Sequence, residues 1–189
     1  MHLEGQGQEK KVYIEYILSC AILLVAFALR VFRLDAQSMW WDEIITVFRS
    51  RLDWAGISAN ILARPVHVPL YFVLMHFWQA IGTQEFVVRF FSVLWGVLGV
   101  ALLYRVGRLV GGREVGLVSA ALAAVSPFSI WFAQENRMYT LAPFLALGAN
   151  FCLLRLLGGL RSKSLGSTRG SSSFFSPPGL LRKPKMHLV

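Results

Sequence analysis

The sequence predicts an all-α protein, a polytopic transmembrane bundle of about four spanning helices with juxtamembrane helices in the first external loop. Three observations carry that expectation. The 189 residues are 56% hydrophobic and only 15% charged, too little charge for a soluble domain of this size. Several apolar runs are long enough, at 1.5 Å per helical residue, to cross roughly 30 Å of hydrocarbon. The basic residues gather at the ends of those runs, as cytoplasmic membrane flanks do.

The first run, residues 13–32, follows Lys10-Lys11 and ends at Arg30-Val31-Phe32-Arg33. It has no small-residue cleavage pattern and reads as an uncleaved anchor. Residues 43–63 place Ile44, Val47, Phe48, Leu52 and Ala55 at helical spacing among Arg49, Arg51 and Asp53. That pattern suits either an amphipathic helix on the membrane surface or an ordinary packed loop helix. Pro65 and Pro69 interrupt it and start a short helix over 68–82, which would be roughly 22 Å long. Residues 86–104 and 115–133 are the next spans, with Gly111-Gly112 marking the turn between them. The last span is 138–154. Pro127 and Pro143 lie inside apolar runs and are expected to kink them.

Charge decides whether 68–82 crosses. If it lies in the interface and the N-terminus is cytoplasmic, most of the 19 basic residues fall inside, among them Lys10, Lys11, Arg105, Arg108 and Arg113. If it crosses, that loop and the basic tail face out. Four passes is the preferred count. The net charge of +9 therefore points to membrane flanks and not to nucleic acid. Cys20 and Cys152 have no metal or disulfide spacing. Residues 1–161 form the membrane module. Residues 162–189, rich in Ser, Gly, Pro and basic residues, are expected to be a disordered tail.

Two polar islands stand out, Asp42-Glu43 after Trp40-Trp41, and Gln134-Glu135-Asn136-Arg137-Met138-Tyr139. Four passes bring both to the outer side. Carboxylates near hydrocarbon need water, a partner or a ligand. Either carboxylate could instead cap the following helix, a role that suits Glu43 as well as the site does. Glu135 and Arg137 suit a metal or acceptor contact and a phosphate clamp, or a salt-bridged loop anchored by Trp131 and Tyr139. His67 could bind phosphate or cap the next helix. Arg89 reads as a side chain snorkelling to the headgroups, with phosphate contact as the alternative.

Five pieces in order carry a resemblance: Arg33-Leu34 with Ser38-Met39-Trp40-Trp41-Asp42-Glu43; His67-Val68-Pro69-Leu70-Tyr71-Phe72; Glu85-Phe86-Val87-Val88-Arg89; Ser126-Pro127-Phe128; and Gln134 to Tyr139. Over about residues 12–157 the chain resembles GT-C class integral-membrane glycosyltransferases, of the protein O-mannosyltransferase and aminoarabinose-transferase-like groups. It departs from them in having Val68 where His-Pro-Pro-Leu-Tyr is common, and in its smaller number of spans.

The resemblance implies transfer of a sugar from a polyprenyl-phosphate donor to a hydroxyl of a protein, lipid or glycan acceptor at the outer face. Asp42 is then the catalytic base with Glu43 beside it, and His67, Glu135, Arg137 and Tyr139 bind substrate. Some branches of the family use a divalent cation, Mg²⁺ or Mn²⁺, and others none; where one binds, Asp42 and Glu135 are the residues that could hold it. The expected location is a bacterial or archaeal plasma membrane. The chain would be the N-terminal portion of such an enzyme, with the tail a product of truncation or frameshift. The alternatives are a non-catalytic membrane protein that kept the fold and, further off, a transporter fragment.

Overall fold

The computed structural model describes residues 2–63 and 69–170. Those residues form seven helices and no strand: α1 (His2–Val31), α2 (Trp41–Ser50), α3 (Trp54–Ala63), α4 (Pro69–Trp78), α5 (Glu85–Val125), α6 (Pro127–Gln134) and α7 (Leu141–Gly170). By length and composition Val12–Val31, Glu85–Val125 and Leu141–Gly158 can each cross a membrane. The expected all-α membrane bundle is what the chain forms.

The longest of these helices is folded back on itself. Gly112, at φ 83° and ψ −170°, leaves the helical region in the middle of α5, a conformation that glycine alone adopts readily. Val100 and Ala120 then meet in one buried cluster with Ala26 and Ala124, although a straight helix would hold them about 30 Å apart. The two limbs, 85–111 and 113–125, touch through glycine. A Cβ on Gly107 would stand 2.9 Å from the Gly116 Cα, and one on Gly116 would stand 2.8 Å from the Tyr104 carbonyl oxygen. The turn expected at Gly111-Gly112 is therefore real, and bare backbone lets the limbs approach this closely.

Helix α1 packs against both limbs and is tied to them near both ends of its membrane-length part, Val12–Val31. Glu15, buried, pairs with Arg108 at 3.1 Å and Arg113 at 3.6 Å and accepts the Tyr104 hydroxyl. At the far end Arg30 is fully buried. It donates to the carbonyls of Ala124 at 3.1 Å and Ala123 at 3.0 Å, and to the Ser129 hydroxyl at 2.8 Å. Those carbonyls belong to the last turn of the second limb, where a helix has no acceptor partners of its own and a cation is favourable.

The expected span 115–133 is divided at Ser126. Pro127 cannot donate to the preceding turn and holds Ser126 at φ −63°, ψ 118°, so one helix ends and α6 begins. Pro143, by contrast, bends nothing. It is the third residue of α7, in the first turn, where an N–H has no intrahelical acceptor anyway. The expected 43–63 helix is also split. Asp53 leaves the helix and caps α3, its Oδ1 accepting the Gly56 N–H at 2.9 Å.

Helix α4 starts on Pro69 and has 10 residues, about half the length needed to cross. It packs among α2, the start of α5 and the start of α7 through a core of Tyr71, Met75, Val88, Phe91 and Leu141. Three polar ties support it: His76 Nδ1 lies 2.8 Å from the Ser50 carbonyl, Gln79 donates to Val47 at 3.2 Å, and Trp78 donates to Val87 at 2.8 Å.

The chain divides into a compact unit over Met1–Cys152 and a second unit from Leu153. Among the described residues the second unit is the remainder of α7. That helix continues to Gly170, past Ser162, where disorder was expected. Extending an existing helix needs no new nucleus, which favours its continuation into a Ser/Gly-rich stretch. The rest of the expected tail, 171–189, lies outside the described residues.

Candidate active site

The site begins at the N-terminus of α2, where Asp42 and Glu43 are successive residues. On a helix they point about 100° apart, and that rotation gives them opposite fates. Glu43 turns inward and is 1% exposed; the Asp42 side chain turns outward and is 69% exposed.

Glu43 meets Arg89 from the first limb of α5. The guanidinium engages both carboxylate oxygens, Nε to Oε1 at 3.0 Å and Nη2 to Oε2 at 2.8 Å. The same carboxylate accepts the Trp40 N–H at 3.1 Å and the Asn136 N–H at 2.7 Å. The first of these caps the open start of α2. The second anchors the loop between α6 and α7. Burial alone would push the Glu43 carboxyl up. The Arg89 hydrogen bonds, those of Asn136 and Trp40, and the Arg89 charge outweigh it and hold the group below its ordinary range.

Arg89 uses its remaining donors on the carbonyls of Leu34 at 3.0 Å, Gln37 at 2.7 Å and Ser38 at 3.3 Å. It is 4% exposed. The expectation that it snorkels to headgroups is overturned: a buried carboxylate and three loop carbonyls offer it a fully bonded site.

Asn136 and Arg137 join the two islands. With its backbone held by Glu43, Asn136 accepts the Tyr71 hydroxyl on Oδ1 at 2.7 Å. Arg137 then reaches Asp42, its Nη2 lying 3.7 Å from Oδ2 and its Nη1 donating to the Asp42 carbonyl at 3.4 Å. Its guanidinium also lies 5.7 Å from the centre of the Tyr139 ring, within cation–π range. Glu135 takes another direction. Its Oε1 accepts the Trp131 indole N–H at 2.8 Å, and it lines a cavity of about 460 Å³ with Arg33, Gln37, Trp40 and Trp131.

Residues 65–165, more than half of the chain, match the family described as dolichyl-phosphate-mannose-protein mannosyltransferase. The chain belongs to this family. No curated protein and no solved structure matches it. The match makes it an integral-membrane member of a mannosyltransferase family whose sugar donors are polyprenyl phosphates, and the GT-C resemblance stands. Four of the five pieces that carried that resemblance, from His67 onward, lie inside the matched residues. The Arg33 to Glu43 piece lies upstream and meets them in space through Arg89 and Asn136.

Of the mannosyltransferase-like site residues read from sequence, Asp42, Glu43, Arg137 and Tyr139 come together, and Glu135 borders them. His67 lies outside the described residues. Among the described residues no three His, Cys, Asp or Glu side chains gather as a metal-binding group. Asp42 holds Arg137 and Glu135 holds Trp131, so Mg²⁺ or Mn²⁺ would gain one carboxylate here and need donor phosphate for the rest.

Sequence reasoning missed the roles of Arg89, Tyr71 and Asn136. For Arg89 a signal existed: a guanidinium near the start of an apolar run needs a counter-charge, and the Glu43 carboxylate was available. Tyr71 stood in the His67 to Phe72 piece that carried the resemblance, but nothing in the sequence gave its hydroxyl a partner.

Proposed function

We propose that the chain carries out the first-island chemistry of a membrane glycosyltransferase, moving a sugar from a polyprenyl-phosphate donor to an acceptor hydroxyl. Asp42 is the base. Its carboxylate takes the acceptor proton as the acceptor oxygen bonds to the anomeric carbon and the bond from that carbon to the phosphate oxygen breaks. The leaving phosphate carries the electron pair away, and Arg137 neutralises its growing charge. The observation that supports this assignment is the contrast between adjacent carboxylates. Glu43 is saturated by four donors, while Asp42 is exposed and held loosely by a single guanidinium.

An inverting displacement places base and leaving group on opposite faces of the sugar, and groups flanking a sugar in this way stand about 6.5 Å or more apart. The Asp42–Arg137 separation of 3.7 Å is shorter than that. The pair must open as the donor enters, with Arg137 moving to phosphate and Asp42 left free to accept a proton. Mg²⁺ or Mn²⁺ enters this reading only as a further partner of the phosphate. Glu135, beside the 460 Å³ cavity, is assigned to the acceptor side.

The orientation proposed is a cytoplasmic N-terminus with both islands at the outer face, in a bacterial or archaeal plasma membrane. Helix α2 supports an interfacial placement. It buries Glu43, Thr46 and Ser50 and turns Trp41, Ile44 and Phe48 outward, the reverse of a helix packed in water and the pattern of one lying in a membrane interface. The test is Asp42→Asn in the membrane-embedded chain supplied with labelled polyprenyl-phosphate mannose and an acceptor. Transfer should fall by roughly 10²–10⁴-fold at unchanged expression. Transfer retained within a few-fold would remove Asp42 from the role.

A further inference from the structure

We propose that Tyr71 is a positioning residue for Arg137, acting through Asn136 to fix the loop from which Arg137 reaches the donor phosphate. This rests on the reading of Arg137 given above. The Tyr71 hydroxyl bonds to Asn136 and Ser92, not to Asp42 or the Arg137 side chain.

The phenol lies at 0% exposure in the first turn of α4. Its single proton goes to Asn136 Oδ1 at 2.7 Å. The Ser92 hydroxyl lies 3.2 Å from the phenol oxygen and 3.3 Å from the Arg137 carbonyl, so its proton serves one or the other. Asn136 is thus gripped on both sides: the main-chain N–H by Glu43 at 2.7 Å, the side chain by Tyr71. Its Nδ2 has no partner, so the amide depends on the Tyr71 bond for its orientation.

Two helices from different parts of the sequence therefore hold one residue. The Glu43 bond sets how closely the loop approaches α2. The Tyr71 bond sets how the loop is rotated about that contact. Without it, residue 136 keeps the Glu43 bond and the next residue only the 3.3 Å Ser92 contact to its carbonyl, so the loop is held less tightly and can pivot. The next residue is Arg137, which must leave Asp42 for phosphate when the donor arrives. A fixed base lets the guanidinium swing between two known positions. A pivoting base spreads it over many, and the entropy of settling it falls on donor binding. Burial pushes the Tyr71 hydroxyl well above its usual range, so it remains a donor throughout the working pH range.

The reading predicts a split in kinetic constants. Tyr71→Phe removes the hydrogen bond to Asn136 and the contact with the Ser92 hydroxyl, and keeps the ring in its cluster with Met75 and Phe91. KM for the polyprenyl-phosphate sugar should rise about five- to tenfold. The pH profile of kcat should be unchanged, because Asp42 stays on α2. Asn136→Ala should give a similar rise, and the double variant little more than either alone, since both remove the same bond. A purely structural role would lower expression and kcat without this non-additive effect on KM.

A second measurement needs no turnover. Phenylglyoxal modification of Arg137, followed by mass spectrometry on the membrane-embedded chain, reports how well that guanidinium is held. It should be several-fold faster in Tyr71→Phe than in the unaltered protein, with Arg108 as an internal reference. Faster modification in Tyr71→Phe and in Asn136→Ala supports the inference even if Asp42→Asn retains transfer, an outcome that would defeat only the catalytic assignment. Modification at the unaltered rate in both variants overturns it. If Tyr71→Phe fails to fold, Asn136→Ala decides alone, because it leaves the backbone bond to Glu43 in place.

Discussion

Replacing Arg89 by Met exposes how much of the site depends on one ion pair. The substitution keeps the volume of the apolar stem and removes five hydrogen bonds, two to Glu43 and three to the carbonyls of Leu34, Gln37 and Ser38. Glu43 is left with the N–H groups of Trp40 and Asn136 and no cation. Breaking a buried pair by removing one partner costs about 3–5 kcal/mol, and the orphaned carbonyls keep the figure near the upper end.

The pH dependence carries a sharper signature. The Glu43 carboxyl in the folded protein is held below its ordinary value. Its contribution to stability is therefore complete above the unfolded carboxylate pKa of about 4.3 and is lost as pH falls through the lower folded value. Without Arg89, burial dominates and the folded value rises above the ordinary one. The sign then reverses: the variant gains stability on acidification from neutral pH, as Glu43 becomes neutral. Thermal unfolding in detergent from pH 3 to pH 8, for the unaltered chain and Arg89→Met, reads both effects. A loss under about 1 kcal/mol at neutral pH, or acid limbs that superimpose, would refute the claim that this pair locks the loop to α2. Glu43→Leu combined with Arg89→Met should lose less than Arg89→Met alone, since no charge remains buried.

Three further outcomes follow from the frame. Gly112→Ala places a Cβ at φ 83°, ψ −170° and should cost about 1–3 kcal/mol through strain alone, because nothing lies within 4 Å of the added atom; an unchanged melting temperature would contradict the hairpin conformation. Gly107→Val drives a branched side chain into the Gly116 backbone and should destabilise by about 1–3 kcal/mol or more, read in the same assay. A cysteine at Ser58 and one at Glu135 should both react with an impermeant thiol reagent applied from outside, in a background lacking Cys20 and Cys152. Reaction of only one would break the proposed topology.

Much of the frame was legible from residue order because the signals were local. Gly111-Gly112 between two apolar runs announced the hairpin, and Pro69 announced the start of α4. The break at Ser126 was half visible, since Pro127 was expected to bend a span and in fact ends a helix. The joining of the islands followed from parity of crossings and flanking charge, long-range quantities that a sequence still records. The division of labour between Asp42 and Glu43 was not legible. Both carboxylates fit a cap and both fit a site; only the rotation of α2 against Arg89 decides which is consumed by structure. Arg89 misled for a similar reason. A guanidinium at a span end snorkels unless a partner comes within reach, and that partner lies 46 positions away in sequence. Glu15 drew no attention within its apolar run, yet it closes one end of the frame by pairing with Arg108 and Arg113.

The two rivets on α1 bear on how the protein is made. Glu15 and Arg30 lie in one membrane-length segment, and apart from the Ala26 carbonyl that Arg30 reaches within α1, neither has its partners when that segment leaves the ribosome. The carbonyl that receives Arg30 comes 94 residues later, which at 5–20 residues per second is roughly 5–20 s of further synthesis. Through that interval both side chains would lie near the ends of the segment without their cross-helix partners, each at a cost below the roughly 2.5–3.5 kcal/mol of a charge at the bilayer centre. The nascent first segment is therefore expected to linger beside the insertion machinery and to enter the bilayer together with the hairpin that neutralises it.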